Sequence, residues 1–351
     1  MDFFERLVAK FSPDLGVDLG SDWLGLVECG QAQWREAARV VYYLPQDQLS
    51  AWGAKARLLE GRLLPTSKLV SPFRRGRILD YRGALELGRQ LLRRCHNVGL
   101  GGPRLTLALP VNASGLERQL ACDWGRALGA RAWSIVPTPL AAALGAGLEL
   151  LSSTEAHLLV DIGAQSLQVA LLSWGGVVAA DSLPQGSDAL DRALIEYCRA
   201  ERGLVVGRAS AEHLKIEGGC AWTLKRREEF SIKGRDLASG LPRRQKLSAK
   251  ELLQIYKPHL ERWSRFIQSF LQAAPPQLAS DIMAGGLTLC GGGSLLQGLE
   301  QYLASSLGLI CQRASEPESC TLRGLDRLGR DPRLRQALAL NQNFVWSPSG
   351  R

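Results

Sequence analysis

Short apolar runs broken by tight turns fill residues 157–183, where HLLVDI, LQVALLS and GVVAADSL follow one another. That pattern predicts three strands, at 157–162, 167–173 and 176–183. An earlier stretch, LGVDLGSDWLGLVE (15–28), predicts two strands around a Gly-Ser turn. Between these blocks the spacing predicts a helix over 83–95, a strand RLTLALP at 104–110 and an amphipathic helix over 113–128. Ser114 is placed to cap that last helix, with Glu117 completing a capping box. ARAWSIVP predicts a strand, and TPLAAALGAGLEL a helix whose Ala and Gly residues suit close packing. Downstream come a helix over 187–202, a basic insert over 209–246 and a long helix over 248–273. The strand GLTLC, the turn GGGS and a helix over 295–306 follow, and the tail GRDPRLRQALALNQNFVWSPSGR predicts one helix with a frayed end. Strand runs recur between helices, so the class is α/β, and a strand–turn–strand unit carrying an Asp occurs twice.

The first residues, MDFFERLVAKF, place Phe3, Phe4, Leu7, Val8 and Phe11 at helical spacing and end at Ser12-Pro13. Such a helix either packs in the core or lies in a lipid headgroup region with its phenylalanines down. At ~1.5–3 kcal/mol for each buried side chain, a single copy binds membrane weakly. Many copies on one polymer bind well through effective concentration.

Composition adds limits. The 351 residues suffice for two or three domains, and 46% hydrophobic with 22% charged residues is an ordinary globular balance. The net charge of +9 concentrates in residues 55–77 and 225–246. Basic clusters suit nucleic acid, anionic lipid or an acidic partner, but no zinc finger or aromatic-rich RNA motif accompanies them, so nucleic acid is not expected. The eight cysteines show no C-x-x-C spacing, which suggests buried thiols in a reducing compartment. No run approaches ~18 consecutive apolar residues, and the start lacks a secretory apolar core, so the expected location is the cytoplasm.

Three loops carry the candidate chemistry. Asp18-Leu19-Gly20-Ser21 ends one strand, Asp161-Ile162-Gly163 ends another, and Gly291-Gly292-Gly293-Ser294 is predicted to open a helix. Glycines let backbone N–H groups surround a phosphate, and a helix N-terminus adds a favourable dipole. Two carboxylates from separate hairpins suit a hydrated Mg²⁺, which prefers few protein ligands. In this order the motifs resemble the actin/Hsp70/sugar-kinase ATPase superfamily, and within it the MreB family of bacterial actins. GVDLGS resembles the first phosphate hairpin, VDIGAQSLQVALLSWGGVV the second, and VPTPLAAALGAGLEL the connecting helix. QGSDALDRALIEY, SAEHLKIEGGCAW, IKGRDLASGLPR and LTLCGGGSLLQGLEQYLASSLGL complete a resemblance over about residues 12–325.

The resemblance implies an actin-like ATPase fold: two duplicated α/β domains, each with a smaller subdomain, around a nucleotide cleft. Its implied boundaries are a membrane helix at 1–11, domain I at 12–150 with a small subdomain at 30–78, and domain II at 151–325 with one at 185–246. Residues 326–351 form a helix and tail returning to domain I. It implies ATP and Mg²⁺ as cofactors, with Asp18 and Asp161 on the metal side through water. Gly20, Ser21, Asp22, Trp23, Gly163, Ala164, Gln165, Ser166, Glu212, Lys215 and Gly291 to Ser294 match nucleotide-contacting positions. It also implies filaments of the chain itself on the inner face of the cytoplasmic membrane, organising wall synthesis and cell shape with partners such as RodZ and MreC.

Two departures separate binding from turnover. Thr138 stands where the family has the Glu that polarises the attacking water, and Thr is no carboxylate base. Gln165 replaces a glycine of the second turn; its Cβ either blocks the backbone or forbids the needed φ, while its amide is able to donate to phosphate. Weak hydrolysis with retained ATP binding is therefore expected, since losing a water-orienting group costs a few powers of ten in rate. The alternative is a non-hydrolysing paralogue that scaffolds a standard MreB filament. A soluble kinase or chaperone ATPase fits less well, because no sugar-binding insert is recognisable. Trp23, beside the first turn, either stacks over the cleft mouth or packs.

Overall fold

The computed structural model describes residues 13–95, 101–151, 155–223, 229–340 and 345–347. The amphipathic segment bearing Phe3, Phe4, Leu7, Val8 and Phe11 lies outside them. In chain order the first elements are β1 (Asp14–Leu19), β2 (Trp23–Glu28), β3 (Ala32–Ala37), β4 (Val40–Tyr43), β5 (Gln48–Trp52), α1 (Gly53–Leu58), β6 (Ser67–Val70), β7 (Phe73–Arg74) and β8 (Arg77–Ile78). Next come α2 (Tyr81–Leu92), β9 (Arg104–Leu109), α3 (Gly115–Ala127), β10 (Ala132–Pro137), α4 (Thr138–Gly145), β11 (His157–Ile162), β12 (Leu167–Ser173) and β13 (Gly176–Leu183). Then follow α5 (Asp188–Arg202), β14 (Leu204–Val205), α6 (Arg208–Gly218), β15 (Glu229–Asp236), β16 (Pro242–Ser248) and α7 (Ala249–Ala273). The last are α8 (Ala279–Gly285), β17 (Leu287–Cys290), α9 (Leu299–Leu307), β18 (Cys311–Arg313), α10 (Cys320–Arg330), α11 (Pro332–Leu340) and β19 (Val345–Ser347).

Two compact units emerge. The first comprises Met1–Ala156, Ala170–Asp181 and Glu318–Arg351, the second His157–Val169 and Ser182–Pro317. The first holds a six-stranded sheet of order β19-β10-β9-β1-β2-β3, in which β1, β9 and β10 run parallel and the hairpin β1–β2 antiparallel. One face of it packs Leu15, Val17 and Leu19 against Leu87, Leu91 and Trp124 of α2 and α3, all buried. The other face takes α4 and α10, which approach closely because both carry small residues. A Cβ on Gly145 would lie 1.8 Å from the Cys320 carbonyl, and one on Gly324 would lie 1.7 Å from that of Ala141. A second sheet has the order β13-β12-β11-β17-β18, with β11, β17 and β18 parallel. Small sheets β5-β4-β6 and β14-β15-β16 complete the two units.

The alternation at 157–183 gives the three strands it predicts, with those bounds. Ser114 does cap α3, its hydroxyl accepting from the Glu117 N–H at 3.3 Å while the Glu117 carboxylate takes the Ser114 N–H at 2.7 Å. Three expectations need correction. The helix from Thr138 stops at Gly145, with Gly147 left-handed at φ +89° just beyond. The GGGS turn opens only a short 3₁₀ turn, Gly292–Leu295, and α9 begins later at Leu299, because Gly298 turns left-handed at φ +75°. The basic insert holds α6 and the hairpin β15–β16, whose Ile232 and Leu247 are buried. The tail is two helices broken at Asp331-Pro332, after which β19 pairs antiparallel with β10.

Candidate nucleotide site

The first unit supplies one set of candidate residues. Asp18 sits near the end of β1, opposite Gly25 of β2. Surrounding protein removes most of its water and pushes its carboxyl up to about 6, against which Arg35 exerts a smaller lowering pull. Gly20 is required by the turn, since a Cβ there would lie 2.3 Å from the Trp23 carbonyl. The Ser21 hydroxyl accepts the Arg75 N–H at 2.6 Å, which ties the phosphate turn to the β7–β8 hairpin. Asp22 is held by two guanidiniums, Arg39 at 2.6 Å and Arg57 at 2.9 Å. Arg39, only 2% exposed, also donates to the carbonyls of Ser21 and Ala38. The side chains of Ser21 and Asp22 thus hold the turn in shape. Trp23, 37% exposed, carries Arg57 at 4.8 Å and Arg35 at 5.6 Å from its ring centroid. Thr138 is the first residue of α4, largely buried between Pro137 and Pro139.

The second unit supplies the rest. Asp161 lies near the end of β11, in register with Cys290 of β17, so the two loops that follow these strands start side by side. Loops at the carboxyl ends of parallel strands are where α/β sheets bind ligands. The second turn closes by Gly163 N–H donating to the Ser166 carbonyl at 2.9 Å. Ala164 and Gln165 both keep a negative φ, so neither strains the turn, and no φ is forced on Gln165 that its Cβ forbids. The Gln165 side-chain oxygen, an acceptor, is buried with no hydrogen-bond partner among the described residues. The start of α5 braces this turn: the N–H groups of Ser187 and Asp188 donate to the carbonyls of Gly163 and Ala164. Gly186 permits the approach, since its Cβ would lie 2.4 Å from the Gly163 carbonyl.

Gly291, left-handed at φ +79°, presses directly on the first loop, where a Cβ would lie 2.3 Å from the Asp161 carboxylate. A Cβ on Gly293 would meet Ile162 at 2.4 Å. Gly292 is exposed at the tip. Ser294 is fully buried, and its hydroxyl donates to the Gly291 carbonyl at 2.7 Å, so its side chain shapes the loop from within. On α6, Lys215 pairs with Asp191 of α5 at 2.8 Å and donates to the Ser187 carbonyl at 3.3 Å. Asp191 is 2% exposed; burial pushes its carboxyl up to about 6 while Lys215 pulls it down, and its second oxygen has no partner. Glu212 lies near enough on the same helix to add to the upward push.

The structure therefore gathers Asp161, Gly163–Ser166 and Gly291–Ser294 at one end of a sheet, with Glu212 and Lys215 on the neighbouring α6, and separately gathers Asp18–Trp23 beside Thr138's unit-mates. Sequence reading missed Arg35, Arg39, Arg57 and Asp191. The only available signals were the basic stretch around Arg57 and the second Asp of GSDALD. No cluster of three or more metal-ligating side chains occurs among the described residues.

Comparisons agree with this arrangement. Residues 12–336 match the family described as MreB/Mbl protein. The cell shape-determining protein MreB of Escherichia coli strain K12 is 32% identical over 328 residues, covering 91% of this chain and 94% of that protein. The cell shape-determining protein Mbl of Bacillus subtilis strain 168 is 28% identical over 329 residues, covering 92% and 98%. The crystal structure of MreB5 of Spiroplasma citri bound to ADP matches with a TM-score of 0.87 at 27% identity, over 91% of this chain and 96% of that one. A MamK double helical filament matches at a TM-score of 0.76 and 17% identity, which bears on the fold alone. The fold is actin-like, and the chain belongs to the MreB/Mbl family of cell shape-determining actin homologues.

Proposed function

We propose that the chain binds ATP with Mg²⁺, assembles into filaments on the inner face of the cytoplasmic membrane and hydrolyses ATP only weakly. One observation carries the reading: two Asp-tipped phosphate turns, each closed by a glycine or a braced backbone, accompany a glycine loop that presses on Asp161. The similar MreB5 of Spiroplasma citri is crystallised with ADP and with AMPPNP, the latter at a TM-score of 0.88 and 26% identity. Backbone N–H groups at Gly20–Ser21 and Ala164–Ser166 bind phosphate oxygens. Asp18 and Asp161 orient the water shell of the cation, which offsets phosphate charge when bound. Glu212 and Lys215 serve the nucleoside end.

Thr138 sets the rate. Its hydroxyl positions a water but accepts no proton at neutral pH, so bound ATP persists. Persistent ATP favours the assembled form, and a repeated head-to-tail contact that does not close gives a filament. In this reading the filament works with membrane proteins of wall elongation such as RodZ and MreC, and the segment at 2–11 anchors it through many weak contacts. Thr138 also favours a second reading, in which the chain never hydrolyses and scaffolds a standard MreB filament. Sedimentation with ATP, ADP or no nucleotide tests assembly. Polymer pelleting with ATP supports the reading, and a chain that neither binds nucleotide nor pellets contradicts it.

A further inference from the structure

Arg35 stands on β3 directly across from Gly25, and Gly25 stands directly across from Asp18. Directly opposed residues of an antiparallel sheet share a face, so the three form one row across β1, β2 and β3. The middle member has no side chain, and a Cβ there would already strike Leu322 at 2.9 Å, so no longer residue fits between the two charges. Trp23 lies two residues before Gly25, on the same face, and carries the Arg35 guanidinium at 5.6 Å from its ring centroid. Arg57 takes a second position on the ring, at 4.8 Å, but is already bound to Asp22. Arg39 is buried and bound to Asp22 as well. Arg35 is different: it is exposed, and among the described residues it makes neither a hydrogen bond nor an ion pair. Its charge nonetheless reaches Asp18 and favours the ionised carboxylate. An aromatic plate thus steers an uncommitted guanidinium to the side of a phosphate turn.

We propose that Arg35 is a phosphate-binding residue, positioned by Trp23, whose guanidinium takes the polyphosphate of a nucleoside triphosphate seated on the Gly20–Ser21 turn. The inference rests on the nucleotide reading above and adds to it the source of positive charge on the first unit. A guanidinium fork matches phosphate oxygens two at a time, which a lone backbone turn does not. The same charge offsets part of what Mg²⁺ otherwise neutralises, so triphosphate binding survives removal of the metal better than it does without Arg35.

Equilibrium binding to the full chain, using fluorescent ATP with competition by ATP and by AMP, in Mg²⁺ and in EDTA, tests this. The expected result for R35A is an ATP affinity lower by about tenfold to a hundredfold. AMP affinity changes by less than about twofold on the same scale, and the ATP loss grows in EDTA. R35K recovers part of the affinity, and W23A shows a weaker version of the R35A pattern. R35Q, which keeps length and loses charge, must repeat the R35A loss, which separates a charge effect from a folding defect. Wild-type ATP affinity in R35A and R35Q overturns the assignment and leaves the nucleotide reading intact. Equal losses for ATP and AMP also overturn it. A wild-type chain that binds neither ATP nor AMP overturns both readings.

Discussion

A buried carboxylate is costly to a fold, and Asp18 shows the cost. Desolvation raises its carboxyl from 3.8 to about 6, so the folded chain prefers it neutral. Below 3.8 it is protonated whether the chain is folded or not, and its burial costs nothing. As pH rises from 3.8 to about 6 the unfolded chain ionises while the folded one does not, and up to about 3 kcal/mol of stability is lost, a loss that is complete above 6. Asp18→Asn should therefore melt higher than wild type at pH 7.5 without nucleotide, with the gap closing near pH 4; calorimetry across that range checks it. Asp22 is different in its surroundings, because two guanidiniums hold it. Asp22→Ala removes the carboxylate that the buried Arg39 holds at 2.6 Å and should cost roughly 3 kcal/mol in urea denaturation. The double variant Asp22→Ala/Arg39→Met should recover most of that. Residue types at the turns were legible in the sequence, since Asp18, Gly20, Asp161 and Gly291 each stand in a short apolar-to-glycine transition. Arg35 was not, because its role comes from cross-strand register, and no spacing along the chain reveals which residue of β3 faces Asp18.

Among elements, the strongest local signals were also the most accurate. The Ser114 capping box and the strands over 157–183 depend on neighbours within a few residues, so periodicity and cap chemistry suffice to place them. Ser114→Ala should lower stability by about 1 kcal/mol. The ends of α4 and α9 were misplaced because left-handed glycines at 147 and 298 set them, and a glycine in sequence does not state its φ. The pairing of β19 with β10 was invisible for a different reason, since more than two hundred residues separate the partners. Small residues in TPLAAALGAGLEL did announce close packing, and its partner proved to be α10. Gly145→Ala places a methyl where 1.8 Å separates it from the Cys320 carbonyl, so the helices must part. A loss of about 3 kcal/mol or more in thermal or urea unfolding is expected. Survival of wild-type stability would mean the two helices are less closely held.

For the whole molecule, the fold is actin-like, and in the proposed reading a filament multiplies the weak membrane contacts of single copies. Deleting residues 2–11 should leave the fold's melting temperature unchanged and abolish pelleting with anionic liposomes. Pelleting that persists would place the lipid contact elsewhere, with the basic hairpin β15–β16 the next segment to vary. The central claim remains the separation of ATP binding from ATP turnover, which hangs on the side chain at one helix start. The direct measurement is single-turnover hydrolysis of prebound, radiolabelled ATP by wild type and Thr138→Glu under the same Mg²⁺ concentration. Equal ATP affinity with turnover raised about a hundredfold or more in Thr138→Glu is the predicted result. Brisk wild-type turnover that Thr138→Glu does not improve would contradict the account, for another group would then orient the water.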